Sequence, residues 1–498
     1  MRRPPAARVW PLACAAALAL AGCALGPDYQ GPPQVAPGAQ AEGTLKRAAE
    51  AGVERAPQPL AAQWWRALGD ATLDQLVDDA LRNNPSLRAA QAKLQASRAL
   101  VSQRRAEMLP SVGAGAGYTY LSPPRSLERG VDRALQAAGN TSSNVDLDTK
   151  LYTVGFDASW EIDVFGRRSR AAEGAAAQAQ ADEAALADAQ VQLAAEVAQA
   201  YAGLITYRRQ AVIAQDSLAK VQTMLDLTRQ RRERGAASQL EVERLDVQRR
   251  QQESQLPTLR AQAVIAQDQL ALLTGREPGS LDGLLAGAQA WPQVPARVEV
   301  DDAGALIRRR PDVRQAERQL AAASAQIGEA MSAYFPQVRL LGLIGLGAET
   351  PGGLNRDSAA FMVSPMLSWS LLDFGRTRAR VDQARAGHEA QLAQYEGAVL
   401  AALQDANGAL GRFGAARAQL VTAEQAEQSA TRAAVLMQQR RDAGAASLID
   451  LLDVQRQQLS AADAAAQAQA QVLANYIALQ KSLGLGWGEQ AASQVSAR

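Results

Sequence analysis

Two aspartates stand three positions apart in LIDLLDVQ, residues 448–455, a largely apolar octet. Positions i and i+3 share a helical face, so Asp450 and Asp453 could act together as paired acids. A catalytic centre would also need a nucleophile, a metal cluster or a glycine-rich phosphate loop, and the sequence offers none beside them. The one histidine, His388, lies in a predicted helix and is better explained as a solvated or packed side chain than as a ligand. We therefore expect no enzyme, no metal site and no cofactor.

The elements that hold these aspartates should be long helices. The 498-residue chain is 47% hydrophobic but only 4% aromatic, and its long tracts of Ala, Gln and Arg without proline are typical of extended helices. Its 52 basic residues are balanced by 51 acidic ones, so nothing indicates electrostatic binding of nucleic acid.

Residues 1–22 have the pattern of a signal peptide, with arginines first, a short apolar core and small residues before Cys23. The run LAGC at 20–23 resembles a bacterial lipobox, in which Cys23 becomes the first mature residue and carries a covalent lipid. Cys14 would leave with the signal, so the mature chain could form no disulfide. The alternative is an ordinary signal peptide followed by a chance cysteine. By analogy with lipoprotein sorting, Ala24 favours the outer membrane.

Two long units repeat along the chain. WEIDVFGRRSRA at 160–171 returns 209 residues later as WSLLDFGRTRAR, and RRERGAAS at 231–238 returns at the same offset as RRDAGAAS. Upstream, NPSLRAAQAKL at 84–94 matches RPDVRQAERQL at an offset of 226. Units of this length indicate a duplicated architecture rather than a solenoid.

Each unit contains two stretches in which apolar residues alternate with small or polar ones, at 112–120 and 152–162 and again at 338–346 and 361–371. This period of two predicts strands, each long enough to cross a bilayer when tilted. Helices are predicted over 70–108, from about Arg167 to Arg234, and from Arg376. A small soluble sheet packed on helices is the simpler alternative. The helix predicted from about Arg167 to Arg234 speaks against it, because a small sheet does not need a partner about 100 Å long.

Four strands alone in a membrane would leave unsatisfied amides on two edges, so the sheet must close through other chains. Two chains would give eight strands and a filled barrel, whereas three would give twelve strands and a lumen. Gly, Ser, Thr and Asp are frequent on the face that would turn inward, which favours the trimer.

These landmarks together resemble the TolC family of outer-membrane efflux factors, in its lipoprotein branch serving resistance-nodulation-division multidrug pumps. The resemblance rests on QWWRALGDATLDQLVDDALRNNPSL (63–87), the two FGR blocks, the two helical turns and LGLGW (483–487). It implies a mixed α/β, mostly α fold, in which a trimer forms a 12-stranded outer-membrane β-barrel continuous with a 12-helix periplasmic α-barrel. It also implies the exit duct of a tripartite pump, lipid-anchored in the bacterial outer membrane, with a periplasmic adaptor and an inner-membrane pump as partners.

The repeat and the resemblance together divide the chain into six segments. The expected segments are a lipoprotein signal peptide (1–22), an N-terminal equatorial segment (23–65), the first repeat (66–275), a linker or equatorial segment (276–301), the second repeat (302–484) and a C-terminal tail (485–498).

Both helical turns carry the residues of a capped hairpin. Arginines end the first helix, Gly235 can adopt the left-handed conformation, and Ser238 with Glu241 forms the pattern of a capping box. Gly444, Ser447 and Asp450 repeat the arrangement. Capping alone explains these residues, whereas the resemblance implies that an adaptor docks on the turns, formed by Gly235, Ala236, Ala237, Ser238, Gly444, Ala445, Ala446 and Ser447.

The resemblance also implies that Asp450 and Asp453 form the periplasmic gate. Asp450 has a capping role as well, but Asp453 lies beyond the first turn, and the first repeat has Arg244 in its place. A solvated surface aspartate remains the simpler explanation of Asp453. Two other transport proteins are alternatives to the efflux duct: the outer-membrane conduit of a type I secretion system and a periplasmic adaptor lipoprotein. The adaptor would show one hairpin between small β domains, not two copies that each follow a strand pair.

Overall fold

The computed structural model describes residues 25–38, 45–48, 52–55, 61–137, 148–287 and 291–487. Cys23, Cys14 and the predicted signal peptide lie outside these residues. The helices are α1 Ala71–Asn83, α2 Pro85–Ala106, α3 Arg125–Ala137, α4 Arg167–Glu233, α5 Gln239–Leu273, α6 Asp282–Leu285, α7 Ala303–Arg309, α8 Pro311–Met331, α9 Arg376–Asp442 and α10 Leu448–Ser482. The strands are β1 Glu54–Arg55, β2 Ser111–Leu121, β3 Thr149–Ile162, β4 Glu299–Val300, β5 Gln337–Ala348 and β6 Ala359–Ser368. Short 3₁₀ turns lie at Trp64–Leu68, Ser332–Tyr334, Pro351–Gly353 and Arg356–Ser358.

The chain divides into two compact units. Of the described residues, those within 1–31, 96–179 and 319–391 form the sheet unit, and those within 32–95, 180–318 and 392–498 form the helical unit. Within the part of the chain that the structure describes, no helix is both long and apolar enough to cross a membrane.

The sheet unit contains the four predicted long strands, joined antiparallel in the order β2-β3-β5-β6. Three strand predictions are confirmed. The fourth, over 361–371, was wrong at its end, because β6 ends at Ser368. Ser368 pairs with Gln337, the first residue of β5, and Pro336 precedes it. Proline has no N–H to donate to a ladder, so the pairing stops there.

The register sorts the strand residues onto two faces. The outer face, as we name it, carries the side chain of Trp160 and the residues that alternate with it, among them Val154, Phe156, Leu340 and Ile344. The inner face carries Asp157, Ser159 and their cross-strand neighbours. The backbones of β3 and β5 exclude side chains at one facing pair of this face, Gly155 and Gly345. A Cβ atom built on Gly155 would lie 2.7 Å from the Cα atom of Gly345, so no side chain fits there.

The repeat recurs in the contacts of the sheet unit. Trp160 donates its indole N–H to the carbonyl of Met108 at 2.9 Å. Trp369 donates in the same way to the carbonyl of Tyr334 at 3.1 Å. Both pairs are related by the offsets of 209 and 226 that the sequence carries. The duplication seen in the sequence is therefore also present in the structure.

The helix predicted over 70–108 is two helices, so this prediction was wrong at one position. Asn84 adopts ψ 127 between α1 and α2. Pro85 follows it, and the residue before a proline avoids the helical region. The side chain of Asn84 instead accepts from the N–H groups of Ser86 and Leu87 at 2.8 and 3.1 Å. The predicted helices beginning at Arg167 and Arg376 are confirmed and run to Glu233 and Asp442.

A clasp in the helical unit joins the end of each hairpin to the helix break of the same repeat. Asn84 donates to the carbonyl of Leu273 at 2.8 Å, and Arg310 donates to the carbonyl of Ser482 at 2.7 Å. These two pairs are again related by the repeat offsets. Gly275, at φ 70, packs so closely that a Cβ atom there would lie 2.6 Å from the carbonyl oxygen of Asn83.

The N-terminal segment and the linker between the repeats contribute some regular structure to the helical unit. The two-residue strand β1 pairs in parallel with β4. Trp64, Trp65 and Leu68 are buried, and Trp64 packs edge-on against Tyr476 at a centroid distance of 6.1 Å. Burial raises the pKa of the Tyr476 hydroxyl to about 12.

Candidate functional site: the two hairpin turns

Both hairpin turns end their first helix in the same way. Gly235 and Gly444 adopt φ 75 and φ 73, as predicted. In the first turn, the N–H of Gly235 donates to Arg232 O at 2.8 Å and the N–H of Ala236 donates to Arg231 O at 2.7 Å. The second turn repeats both bonds at 2.8 Å, from Gly444 to Arg441 and from Ala445 to Arg440. This Schellman pattern satisfies the last carbonyls and leaves small side chains at each tip.

Both predicted capping boxes are present. The N–H of Ser238 donates to the Glu241 carboxylate at 2.8 Å, and the Glu241 N–H donates to the Ser238 hydroxyl oxygen at 3.3 Å. In the second turn, Ser447 and Asp450 exchange the equivalent bonds, both at 3.1 Å. Hydrogen bonds from the Ser447 side chain and backbone lower the pKa of Asp450.

Asp453 is held differently from Asp450. Its side chain is 62% exposed, and its ion-pair contact is a distant one, 3.7 Å from Arg456. The structure thus brings the two aspartates onto neighbouring positions of α10, with one carboxylate turned to the cap and the other directed to solvent. The residues between them face the other way, since Leu451 is buried and Leu452 packs on a cluster formed by Met224, Leu225, Val242 and Leu245 of the first hairpin.

A network of ion pairs braces the first hairpin. Asp246 of α5 pairs with Arg250 at 2.8 Å and Arg249 at 3.1 Å, and Arg229 of α4 reaches it at 3.9 Å. Hydrogen bonds from Arg250 first and Arg249 second lower the pKa of Asp246. Sequence reasoning did not identify this network, although comparison of the repeats could have found it.

The second hairpin lacks this charged bracing. Residues 209 positions after Asp226, Arg229, Asp246, Arg249, Arg250 and Glu253 are Val435, Gln438, Gln455, Gln458, Leu459 and Ala462. The cross-helix bond found there joins Gln458 to Thr431 at 3.5 Å. The hairpin with the two aspartates is therefore held across its helices by neutral contacts.

The described residues contain no group of three His, Cys, Asp or Glu side chains arranged to hold a metal ion. His388 lies in α9, as predicted, and is half-buried. The turns therefore present helix ends, small residues and two carboxylates. These groups suit contact with a partner protein and selection of ions by charge better than catalysis.

Comparison with known proteins connects this arrangement to a family. The model of the outer membrane efflux protein family matches residues 76–276 and 304–485, which is more than half of the chain. The chain belongs to the outer membrane efflux protein family. The two matched blocks carry both repeats and both turns, and they leave out the N-terminal segment and the C-terminus.

Curated relatives of this efflux protein match over most of its length. The pyoverdine export outer membrane protein OpmQ of Pseudomonas aeruginosa is 32% identical over 427 residues, covering 85% of this chain and 87% of OpmQ. The toluene efflux pump outer membrane protein TtgF of Pseudomonas putida is 29% identical over 503 residues, covering 98% of this chain and 99% of TtgF.

Solved channels have the same fold. The outer-membrane channel OprN superposes with a TM-score of 0.84 at 32% identity, covering 93% of this chain and 100% of that one. The CmeC outer membrane channel of Campylobacter jejuni gives 0.82 at 19% identity, covering 95% and 98%, and this likeness concerns the fold alone. The chain is therefore an efflux protein of the outer membrane, and the predicted location and transport role are confirmed. The family consists of transport proteins rather than enzymes.

Proposed function

We propose that this efflux protein is the exit duct of a tripartite multidrug pump. It would conduct solutes passively from an inner-membrane pump of the resistance-nodulation-division class, through a periplasmic adaptor, to the exterior. Three copies would close twelve strands into an outer-membrane β-barrel and twelve hairpin helices into a periplasmic α-barrel. The duct itself would need no cofactor and would bind no nucleic acid.

The proposal that identical chains close the barrel rests on a contact that one repeat makes within the chain and its counterpart does not. Phe165 stacks on Phe335 at a centroid distance of 4.8 Å. The repeat offsets carry this pair onto Phe374 and Leu109, which are 99% and 67% exposed in the single chain. Strands β2 and β6 likewise each have one neighbour and one open edge. In an assembly of identical chains, Phe374 of one copy would pack on Leu109 of the next, and β6 of one copy would pair with β2 of the next. Leu109 follows α2 as Phe335 follows α8, so the contact would repeat the one between Phe165 and Phe335.

The small inner-face side chains of the first repeat support three copies. Gly115, Gly117, Thr153 and Ser159 lie on the inner face of β2 and β3, and side chains of this size cannot fill a closed eight-stranded core. Twelve strands leave a lumen, which small and polar residues tolerate.

The lipid on Cys23 is part of the same proposal. Its acyl chains would anchor each mature N-terminus to outer-membrane lipid, adding about 0.8 kcal/mol for each buried methylene. Cys23→Ser should abolish labelling by radioactive palmitate while trimers that reach the membrane still conduct. Palmitate labelling that survives in this variant would contradict the lipobox assignment.

The adaptor would dock on the two turns. Ala236 and Ala445 are exposed at the tips, where GAAS leaves little side-chain bulk to obstruct a partner's helices. Ala236→Trp and Ala445→Trp should each abolish drug resistance in cells, because an indole ring would obstruct that approach. Ala236→Ser and Ala445→Ser keep the tips small and should retain resistance. Full resistance in both tryptophan variants would argue against docking here.

Asp450 and Asp453 would form the periplasmic gate of the trimer. Threefold symmetry would gather three copies of each carboxylate into neighbouring rings. At about 7 Å and an effective dielectric constant of about 40, each like-charge pair would cost about 1 kcal/mol. Such rings would admit cations, disfavour anions and bind multivalent cations, and an adaptor that displaces the second hairpin would widen them.

Imaging tests the proposed assembly most directly. Detergent-purified protein should appear in electron micrographs as a threefold tube with a long helical stalk. The matched deletion strain, complemented with the gene, should regain resistance to small drugs. A compact monomer, or complementation of protein secretion but not of drug resistance, would contradict the proposal.

A further inference from the structure

One transverse row of the sheet combines an acid with exposed apolar side chains. The register aligns Gly113, Asp157, Leu343 and Met362 across all four strands. Asp157 is exposed, and Leu343 and Met362 are 46% and 51% exposed. All four residues lie on the inner face, opposite Trp160. An apolar pair on the face that carries the polar residues needs an explanation.

The two repeats differ on this inner face. By the repeat offsets of 226 and 209, Leu343 and Met362 of repeat two correspond to Gly117 and Thr153 of repeat one. The outer face has no such difference, because it is apolar in both repeats, as Phe156 and its partner Ile344 illustrate. Lipid contact therefore accounts for the outer face but not for Leu343 and Met362.

The neighbouring row leaves space beside these side chains. Gly115, Gly155, Gly345 and Ala360 align there, so no side chain longer than a methyl group projects from it. The Asp157 carboxylate leans towards β2 over Gly113, where a Cβ atom would lie 2.8 Å from its Oδ1 atom. A carboxylate and two apolar side chains therefore border a row of residues that have almost no side chains.

Asp157 supplies a charge that the structure does not neutralise. Its carboxylate makes no hydrogen bond or ion pair with any other described residue. The other inner-face acid of β3, Glu161, is engaged by Arg167 at 2.6 Å and Arg168 at 3.0 Å. The exposed apolar pair is therefore bordered by one available negative charge.

We propose that Asp157, Leu343 and Met362 form a binding station for small organic cations with an apolar body. The proposal rests on the trimeric duct, in which the inner face lines the lumen and three copies of the station surround it. The carboxylate attracts the cationic group, and the leucine and methionine cover the apolar part, with methionine adapting to different shapes. A hydrophilic cation gains only the first contact, and an anion is repelled.

Single-channel recording in planar bilayers tests the station with three probes added from the side of the strand loops, away from the hairpin turns. Benzyltrimethylammonium carries both features, tetramethylammonium lacks the apolar ring, and benzenesulfonate carries the opposite charge. Benzyltrimethylammonium should block wild-type current at roughly tenfold lower concentration than tetramethylammonium, which corresponds to about 1.4 kcal/mol. Benzenesulfonate should not block.

Two variants divide the station into its parts. Leu343→Thr with Met362→Thr keeps strand-forming residues and should raise the half-blocking concentration of benzyltrimethylammonium roughly tenfold, with no change for tetramethylammonium. Asp157→Asn should weaken block by both cations. Thr153→Ser lies two rows away on the same face and should change neither.

The outcomes separate this proposal from the duct itself. Wild-type protein that inserts but never conducts would contradict the duct. A conducting wild-type channel in which the two cations block equally would overturn the station without any variant. Conducting variants with wild-type block by benzyltrimethylammonium would also overturn it.

Discussion

Asp450 and Asp453 lie three residues apart but are held by different forces. Asp450 completes a capping box with Ser447 at 3.1 Å, whereas Asp453 is 62% exposed and 3.7 Å from Arg456. The repeat also treats them differently, since Glu241 matches the capping role of Asp450 and Arg244 stands where Asp453 would be. Capping therefore explains the first aspartate but not the second, and the proposed gate concerns mainly Asp453.

Single substitutions should separate these two roles. In planar bilayers, Asp453→Asn should lower cation selectivity and weaken block by periplasmic trivalent cations, and it should not lower the thermal unfolding midpoint, because it removes repulsion within its ring and breaks no cap. Asp450→Asn should have the same two effects on conduction but a lower unfolding midpoint than Asp453→Asn, because it also weakens the cap. Unaltered selectivity and block in the assembled double variant would return both residues to the surface.

The capping role of Asp450 also sets a pH dependence. Its pKa is lowered in the folded chain by Ser447, so the cap's contribution is present above the unfolded pKa of about 3.9 and is lost as pH falls through the lower folded value. Between pH 6 and pH 3, wild-type α10 should lose helix protection that Asp450→Asn lacks throughout. Hydrogen exchange of the peptide after Ser447 measures this difference, and equal acid sensitivity in both proteins would contradict it.

Glycine has a steric role at the helical clasp. Gly275→Ala should destabilise the helical unit by about 3 kcal/mol, because alanine strains a φ of 70 and its Cβ atom would meet Asn83 O at 2.6 Å. Gly235→Ala is the matched control, since it has φ 75 with open space around it and should cost about 1 to 2 kcal/mol. Circular dichroism melting of both variants tests the order. Equal losses would mean that the clasp contributes nothing beyond backbone strain.

At the scale of elements, the two hairpins are copies with different cross-helix bonding. Arg229 joins α4 to Asp246 of α5, whereas Gln438 and Gln455 occupy the equivalent positions in α9 and α10. Exposed ion pairs contribute about 0.2 to 1 kcal/mol each, so the network favours the first hairpin by a modest amount. The second hairpin is then the easier one to displace, which suits the hairpin that carries the proposed gate.

Exchange of residues between the hairpins tests this asymmetry. Arg229→Gln with Asp246→Gln should increase amide exchange near the first turn roughly fivefold, and 1 M salt should have a similar effect on the wild type. Gln438→Arg with Gln455→Asp should slow exchange near the second turn. Mass spectrometry of exchanged peptides from both hairpins gives the comparison. Equal exchange in the two wild-type hairpins, insensitive to salt, would contradict the argument.

The sequence predicted elements well where one local pattern decided the structure. Alternation located β2, β3 and β5, and the pairs Ser238–Glu241 and Ser447–Asp450 located two helix starts. The sequence pattern predicted boundaries poorly where an adjacent proline or a paired strand determined them. The apolar pattern over 70–108 does not reveal the break at Asn84, which depends on Pro85, and the alternation over 361–371 does not reveal the end of β6, which depends on Pro336 before the paired strand. Helix α3 between β2 and β3 was not predicted at all.

At the scale of the whole molecule, the repeats predict how copies should join. Within one chain, β3 of the first repeat pairs with β5 of the second. Because β3 corresponds to β6 and β5 corresponds to β2, the same contact should form between β6 of one copy and β2 of the next. The offsets carry the facing pair Gly155–Gly345 onto Ser364 of one copy and Thr119 of its neighbour. This register follows from the duplication alone.

Disulfide trapping tests that register. Directly opposite residues on antiparallel strands have Cβ atoms about 4.5 to 5.5 Å apart, which small movements bring within disulfide range. Thr119→Cys with Ser364→Cys should therefore form, under mild oxidation in outer-membrane fractions, covalent dimers and trimers that reductant reverses. Thr119→Cys with Ser368→Cys is the control, because its second cysteine lies on the same face about 13 Å further along β6 and should not cross-link. Cross-linking by the control pair alone would show a different register, and cross-linking by neither would mean that these edges do not meet. A ladder that ends at three chains would support three copies, whereas one that ends at two would favour an eight-stranded barrel.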